Sequence, residues 1–230
     1  MKYAVITDVH SNIFALKAVM SEIDKIKPDK ILCLGDIVGN GAYPEETVQY
    51  IRRREDILCV KGNHDLFVNL NLTSFPIVDT RLKMFRWTQK ALSNASRKFL
   101  NDLPSVLTFE DCGKKIVAFH YPKNSKGRFK DLIYLPSDDQ VRELFDGLKG
   151  DIFLFGHEHT GSLTEIDGKL YLNFGTLGNM LEKDSARFGI LEVDNEKVGY
   201  KSIIVQYDDS IPKKRAEEIN SILENKEKNI

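Results

Sequence analysis

The chain carries five histidines, and each follows closely on a short apolar run. His10 comes after Tyr3 to Ile6, His64 after Asp56 to Val60, His120 after Lys115 to Phe119, and His157 and His159 after Asp151 to Phe155. Asp8 shares the first of these exits, Asp36 follows Lys30 to Leu34, and Asn63 directly precedes His64. Singly, each histidine reads as an ordinary hydrogen-bonded loop residue. Jointly they do not, because scattered core histidines have no reason to gather where strands end. In open α/β sheets the carboxyl ends of strands are where ligands bind. Two carboxylates, one amide and several neutral imidazoles suit a divalent transition ion such as manganese, iron, zinc or nickel. The set holds no thiolate, which excludes a structural zinc knot.

The densest segment is DIFLFGHEHT, from Asp151 to Thr160. Its apolar, branched and aromatic run predicts a buried strand ended by Gly156. Glycine allows a sharp backbone turn there. Two imidazoles two residues apart at such an exit can converge on one point.

These residues must be held by elements that the rest of the pattern supplies. Tyr3 to Ile6, Lys30 to Leu34 and Asp56 to Val60 read as strands. Between them a helix capped by Ser11 or Asn12 carries the stripe Ile13, Leu16, Val19, Met20, Ile23 and Ile26. A second helix begins at Pro44 and runs to about Arg54. This β-α-β-α-β order calls for a parallel sheet covered by helices. Leu66 to Phe75 shows no period. Helices are expected over Thr80 to Ala91 and Ser96 to Leu103, then a hairpin pairing Val106 to Glu110 with Lys115 to Phe119. Tyr121 to Pro136 reads as a basic loop, and Ser137 caps a helix to about Leu148. Further hairpins turn at Asp167-Gly168 and at Asp194-Asn195-Glu196, so the C-terminal half reads as mostly antiparallel. A charged helix opens at Pro212, with a narrow stripe of Ala216, Ile219, Ile222 and Leu223. No composition shift marks a linker, so residues 1–230 read as one domain, with insertions near 66–104 and 121–150 and a C-terminal helix near 212–226.

The totals narrow the function. An apolar share of 42% belongs to a globular core, and a net charge of −1 gives no support for a general nucleic-acid or membrane-surface binder. The three cysteines are too few and too widely spaced for a disulfide framework, and Cys33 and Cys59 read as buried free thiols. No stretch approaches a membrane span, and the apolar start is too short for a signal peptide, so the cytoplasm is the expected location.

In order, the motifs are D-x-H at Asp8 and His10, G-D at Gly35 and Asp36, G-N-H-D from Gly62 to Asp65, His120, and G-H-x-H from Gly156 to His159. This series resembles the calcineurin-like binuclear metallophosphoesterases, and it covers most of the chain. The resemblance implies an α/β fold of two facing mixed β-sheets flanked by helices, in four layers, with two divalent metal ions at one end of the strands, manganese foremost. It implies that Asp8, His10, Asp36 and His159 hold one ion and that Asp36, Asn63, His120 and His157 hold the other, with Asp36 bridging. His64 matches the family's histidine near the scissile phosphate, oriented by Asp65. The implied reaction is attack of a metal-bridging hydroxide on phosphorus, with His64 stabilising charge or protonating the leaving oxygen.

Some features depart from the family pattern. Phe119 and Tyr121 flank His120 where glycine is common on one side, and the N-P-G segment appears as Asn173, Phe174, Gly175. The run after Asp36 is Ile37-Val38-Gly39-Asn40, without the Asp-Arg-Gly of phosphoprotein phosphatases. The chain looks more like small bacterial and archaeal phosphodiesterases, including those that resemble diadenosine tetraphosphate hydrolases. The expected substrates are therefore small phosphodiesters or phosphoanhydrides, nucleotides foremost. Two rivals keep the fold. One is a metal-binding scaffold like the family's retromer subunit, against which the intact ligand set counts. The other is a nuclease, against which the balanced charge counts. The loop residues Lys123, Lys126, Arg128 and Lys130 read either as a solvated charged loop or as a wall steering an anionic substrate, with Lys123, Lys126 and Arg128 as substrate contacts.

Overall fold

The computed structural model describes residues 1–71, 80–178 and 184–225. The first half runs β1 (Lys2–Ile6), α1 (Ile13–Ile26), β2 (Lys30–Cys33), α2 (Pro44–Arg52), β3 (Ile57–Cys59), α3 (Asn63–Phe67), α4 (Thr80–Ala91), α5 (Asn94–Asp102) and β4 (Val106–Asp111). The second half runs β5 (Lys114–Phe119), α6 (Asp138–Leu144), β6 (Ile152–Leu154), β7 (Ser162–Ile166), β8 (Lys169–Asn173), β9 (Ser185–Val193), β10 (Val198–Gln206) and α7 (Ser210–Asn225).

Side chains alternate across each strand, and the alternation builds the layers. Tyr3 and Val5 of β1, with Leu32 of β2, face Ile116, Ala118, Ile152 and Leu154 of β5 and β6 in a core between two sheets. Ala4 and Ile6, with Ile31 and Cys33, turn the other way onto Leu16, Val19, Met20 and Ile23 of α1. Val117, Phe119, Phe153 and Phe155 turn outward onto Val141, Leu144 and Phe145 in and just after α6. The result is the four-layer α/β sandwich expected from the family resemblance. Asn12 caps α1, its side chain accepting the Ala15 N–H at 3.1 Å.

One sheet has the order β10-β9-β1-β2-β3 and the other β4-β5-β6-β8-β7. Each holds three parallel neighbours, β1-β2-β3 at one end of the first sheet, beside the antiparallel pair β9 and β10, and β5-β6-β8 in the middle of the second, flanked by antiparallel β4 and β7. The C-terminal half is mostly antiparallel as expected, but it also contains the parallel pairs β5-β6 and β6-β8. The hairpin signals located the turns, but β6 and β8 pair in parallel with β7 placed outside β8. The carboxyl ends of the parallel strands meet at one edge, where the Gly156 N–H donates to His120 O at 2.8 Å and the Leu177 N–H to Thr7 O at 3.0 Å.

Other differences are local. The α6 helix stops at Leu144 rather than near Leu148, and α7 starts at Ser210 rather than Pro212. Ile219 of its stripe is buried and Ile222 is exposed. Asn63–Phe67, read as turn and aperiodic chain, forms the helix α3. Residues 72–75 of the remaining aperiodic stretch, together with residue 226 of the C-terminal helix, lie outside the described residues. Cys33 and Cys59 are buried free thiols. No helix among the described residues is long and apolar enough to cross a membrane.

Candidate metal centre

The loops after β1, β2, β3, β5 and β6 carry the site. Their close crossing demands unusual backbone: Asp8, His10, Asp36 and His157 all take left-handed conformations, with φ of 53°, 48°, 51° and 72°. Non-glycine residues held this way carry strain that surrounding structure must fix, and such strain gathers at functional sites. At the last exit the left-handed residue is His157, whereas Gly156 serves close approach. A Cβ on Gly156 would lie 2.0 Å from Thr7 Oγ1 and 2.6 Å from Asp8 Oδ2. Gly62 serves likewise, since its Cβ would lie 2.1 Å from Asp36 Oδ1.

Each carboxylate divides its oxygens between scaffold and site. Asp8 Oδ2 accepts from Thr7 Oγ1 at 2.7 Å and from the His157 N–H at 2.9 Å. Asp8 Oδ1 accepts no hydrogen bond and lies 3.3 Å from Nε2 of His159 and 3.7 Å from Nε2 of His10. Asp36 Oδ1 accepts the His64 N–H at 2.8 Å, while Oδ2 lies 3.3 Å from Nε2 of His120 and 3.8 Å from Nε2 of His64. The Nε2 atoms of His10 and His159 are 3.1 Å apart. His120 donates from Nδ1 to Leu34 O at 2.8 Å, which leaves Nε2 turned to Asn63 Oδ1 at 2.9 Å. That outer hydrogen bond fixes the tautomer a metal-binding imidazole needs.

Three groups of donor atoms come within 4.8 Å of one another: Asp8 with His10 and His159, Asp36 with His120 and His157, and His10 with Asp36 and His64. The first holds three of the four residues that the resemblance implies for one ion, without Asp36, and the second holds three of the four implied for the other, without Asn63. Asn63 lies beside the second group, its Oδ1 2.9 Å from Nε2 of His120. Buried carboxylates and imidazoles aimed at common points, with Asp8 Oδ1 orphaned, fit the hard and borderline donor set of divalent metal ions.

The electrostatics agree. Burial opposes charge on Asp8 and Asp36, but the surrounding imidazoles, His120 first, outweigh it and hold both carboxyls well below the usual range. Burial likewise opposes a charged His120, yet Asp36 and Asp8 beside it raise it to about 10. Burial pushes His10 and His157 down to about 4. The cluster therefore keeps two buried carboxylates charged, an arrangement that favours a cation beside them.

The outer braces escaped the sequence reading. Asn173 Nδ2 donates to Glu158 O at 2.6 Å and to Gly156 O at 3.3 Å, while its Oδ1 accepts the Gly175 N–H at 2.9 Å. Buried Glu158 accepts the N–H groups of Thr160 and Gly161 at 3.1 and 3.0 Å. Together they fix the backbone that aims His157 and His159. The asparagine of the Asn173-Phe174-Gly175 segment was the available signal.

The expected partnership of Asp65 with His64 is corrected. Both oxygens of Asp65 go to backbone, accepting Val38 N–H at 3.2 Å and Gly62 N–H at 2.9 Å. The carboxylate nearest the His64 ring is Asp36. Burial, then Asp36, raises the Asp65 carboxyl to about 7. Its place is that of a buried clamp between the loops after β2 and β3.

In the basic loop, Lys123 pairs with Phe129 in an isolated antiparallel bridge. Lys123 Nζ reaches Ser105 Oγ at 3.1 Å and lies 4.7 Å from the centre of the Phe129 ring. Phe129 in turn stacks on His157 with ring centres 6.3 Å apart. Lys126 and Arg128 stand exposed at the hairpin tip, their N–H groups bound by Asn124 Oδ1. Lys130 turns away and donates to the carbonyls of Glu143 and Leu144 at 3.0 and 2.7 Å.

Comparison with known proteins gives a consistent result. The family described as the calcineurin-like phosphoesterase superfamily domain matches residues 1–196. An uncharacterized protein of Methanocaldococcus jannaschii is 36% identical over 177 residues, 76% of this chain and 69% of the relative. A hypothetical protein of Pyrococcus horikoshii has the same fold, with a TM-score of 0.81 at 21% identity, covering 96% of this chain and 97% of that one. A metallophosphoesterase of Sphaerobacter thermophilus does so with a TM-score of 0.73 at 24% identity, covering 97% and 98%.

Proposed function

The chain belongs to the calcineurin-like phosphoesterase superfamily, and on that premise we propose that it hydrolyses phosphodiester or phosphoanhydride bonds of small molecules, nucleotides foremost. The observation that carries the reading is the matched disposition of Asp8 and Asp36, each with one oxygen fixed by backbone and the other facing two imidazoles.

Asp8, His10, Asp36 and His159 would hold one ion, and Asp36, Asn63, His120 and His157 the other, with manganese the leading candidate. Bound there, the ions would supply Lewis-acid activation of water and of the phosphoryl oxygen. The chain's own residues do the positioning. His64, half-buried and next to Asn63 in the first turn of α3, is kept neutral by burial and can donate a hydrogen bond to a phosphate oxygen or to the leaving group. Left-handed backbone at the ligand residues holds the donors in place before substrate arrives, so little reorganisation remains for the reaction. Lys123, with Lys126 and Arg128 beyond it, lines one approach and favours anions. The run Ile37-Val38-Gly39-Asn40, in place of Asp-Arg-Gly, argues against phosphoproteins. Three free cysteines are in keeping with a reducing compartment, the cytoplasm.

The test is a panel assay of manganese-loaded protein on bis-p-nitrophenyl phosphate, dinucleotides, mononucleotides and phosphoserine peptides. Turnover of diesters and dinucleotides is expected. Fast release of phosphate from the peptides, with diesters and dinucleotides untouched, would refute the substrate class.

A further inference from the structure

A histidine that acts on substrate is usually aimed by a hydrogen bond from its second ring nitrogen to a carboxylate or carbonyl. His64 has none. Its Nδ1 is buried and without a partner, Asp65 is committed to backbone, and Nε2 is the atom that faces Asp36. Packing is what remains to fix the ring. His64 and Phe67 lie three residues apart on α3 and so share a face. Phe85 of α4 lies against both, with ring centres 5.0 Å from His64 and 4.5 Å from Phe67. The His10 ring meets His64 edge-on at 4.8 Å. Beneath Nδ1 lies Gly39, in the left-handed region at φ +93°, where a Cβ would fall 2.1 Å from Nδ1 and 2.8 Å from Cγ.

We infer that Phe85 and Gly39 are positioning residues for His64, which aim its imidazole by contact in place of the missing hydrogen bond. The inference rests on the catalytic part given to His64 above. It also gives a task to α4, in the stretch between the third and fourth ligand loops: it walls the reaction centre on the His64 side. Among the described residues the ring contacts of Phe85 are with His64 and Phe67, and the atoms nearest a Cβ on Gly39 are those of the His64 ring, so their effect falls on ring orientation. Phe85→Leu shortens and rounds the wall, whereas Phe85→Tyr keeps it. Gly39→Ala pushes directly on the ring, and it also strains a left-handed backbone.

The experiment pairs kinetics with a readout that needs no turnover. A misplaced catalytic group costs up to about 100-fold. Phe85→Leu should therefore lower kcat by about 10-fold to 100-fold, leave KM and metal content alone, and hurt poor leaving groups most. In a His64→Ala background the same substitution should change kcat less than about two-fold, because its route of action is gone. Phe85→Tyr should restore the rate. With only five histidines in the chain, ring signals can be assigned by NMR. In Phe85→Leu the His64 signals should broaden while those of the other four keep their widths. An equal loss of rate with and without His64 would overturn the inference, since Phe85 would then act through the fold. A rise in KM confined to substrates with aromatic groups, persisting without His64, would overturn it in favour of a stacking platform. Unchanged His64 line widths would overturn it in any case. Absence of all phosphoesterase activity in wild-type protein would instead defeat the proposed function, with the NMR measurement still deciding the matter of positioning.

Discussion

Asp8 and Asp36 present their carboxylates in the same way, although they sit on different strands. One oxygen of each accepts a backbone N–H from a partner loop, His157 at 2.9 Å for Asp8 and His64 at 2.8 Å for Asp36. The other oxygen faces two imidazole Nε2 atoms, those of His159 and His10 for Asp8 and those of His120 and His64 for Asp36. A backbone N–H cannot be lost by side-chain motion, so each carboxylate is locked with one lone-pair direction turned into the pocket. Both consequences, metal binding and its sensitivity to mutation, follow from that lock.

Asp36→Ala should lower metal content and turnover together. Removing an outer partner of a metal ligand costs about 10–100-fold in affinity or activity, and loss of a ligand shared by two sets should exceed that. The check is metal analysis of the purified variant beside its rate. Two retained ions with normal turnover would show the ligand assignment to be wrong.

His64→Ala should keep both ions and lose rate. A general acid or charge-stabilising donor contributes about 10²–10⁴-fold, and the loss should fall on kcat because the interaction strengthens in the transition state. It should be smaller for p-nitrophenolate than for an alkoxide leaving group. Because His64 shares a donor cluster with His10 and Asp36, loss of an ion from this variant would make it a ligand instead.

Asn173→Ala removes three hydrogen bonds that shape the segment from Gly156 to Glu158. At the usual net value per bond, the fold should lose about 2–4 kcal/mol. The ions held through His157 and His159 should bind about 10–100-fold less tightly. Thermal melts and metal titrations of the same variant separate the two effects. Unchanged metal affinity would show the brace to be purely structural.

Metal uptake should release protons at neutral pH. His120, raised to about 10 by Asp36 and Asp8 against the effect of burial, is protonated at pH 7 in the metal-free protein. Its Nε2 must be bare to bind an ion, so affinity should climb as pH rises from 7 toward 10. His10 and His157, lowered to about 4 by burial, are already neutral at pH 7 and add no protons. Calorimetry in buffers of different ionisation heat measures the release directly. A pH-independent affinity between 7 and 10 would contradict it.

The strand exits were legible because short continuous apolar runs end at residues whose chemistry is distinctive. Tyr3 to Ile6 and Ile152 to Leu154 needed no tertiary information to be seen as strands. The facing of the two sheets could not be read from the chain, since it depends on which side of each strand packs on what. The helix α3 was missed because five residues are too few to show a period and Gly62 looks like a turn signal. Asp65 was assigned to His64 through the family resemblance, but consecutive residues on a helix point in different directions. The loop after His120 was read for its charge, and Phe129, which reaches the ligand His157, was overlooked among the lysines. Phe85 lay in a segment whose weak amphipathic pattern carried no sign of the site.

The central claim is that these residues form a two-ion phosphoesterase centre. Its most direct test is the hydrolysis of bis-p-nitrophenyl phosphate by one preparation, measured as purified, after exhaustive chelation, and after manganese is returned. Chelation should abolish turnover and manganese should restore it, with two ions regained per chain. Undiminished hydrolysis by metal-free protein would contradict the claim, as would the lack of any hydrolysis with both ions in place.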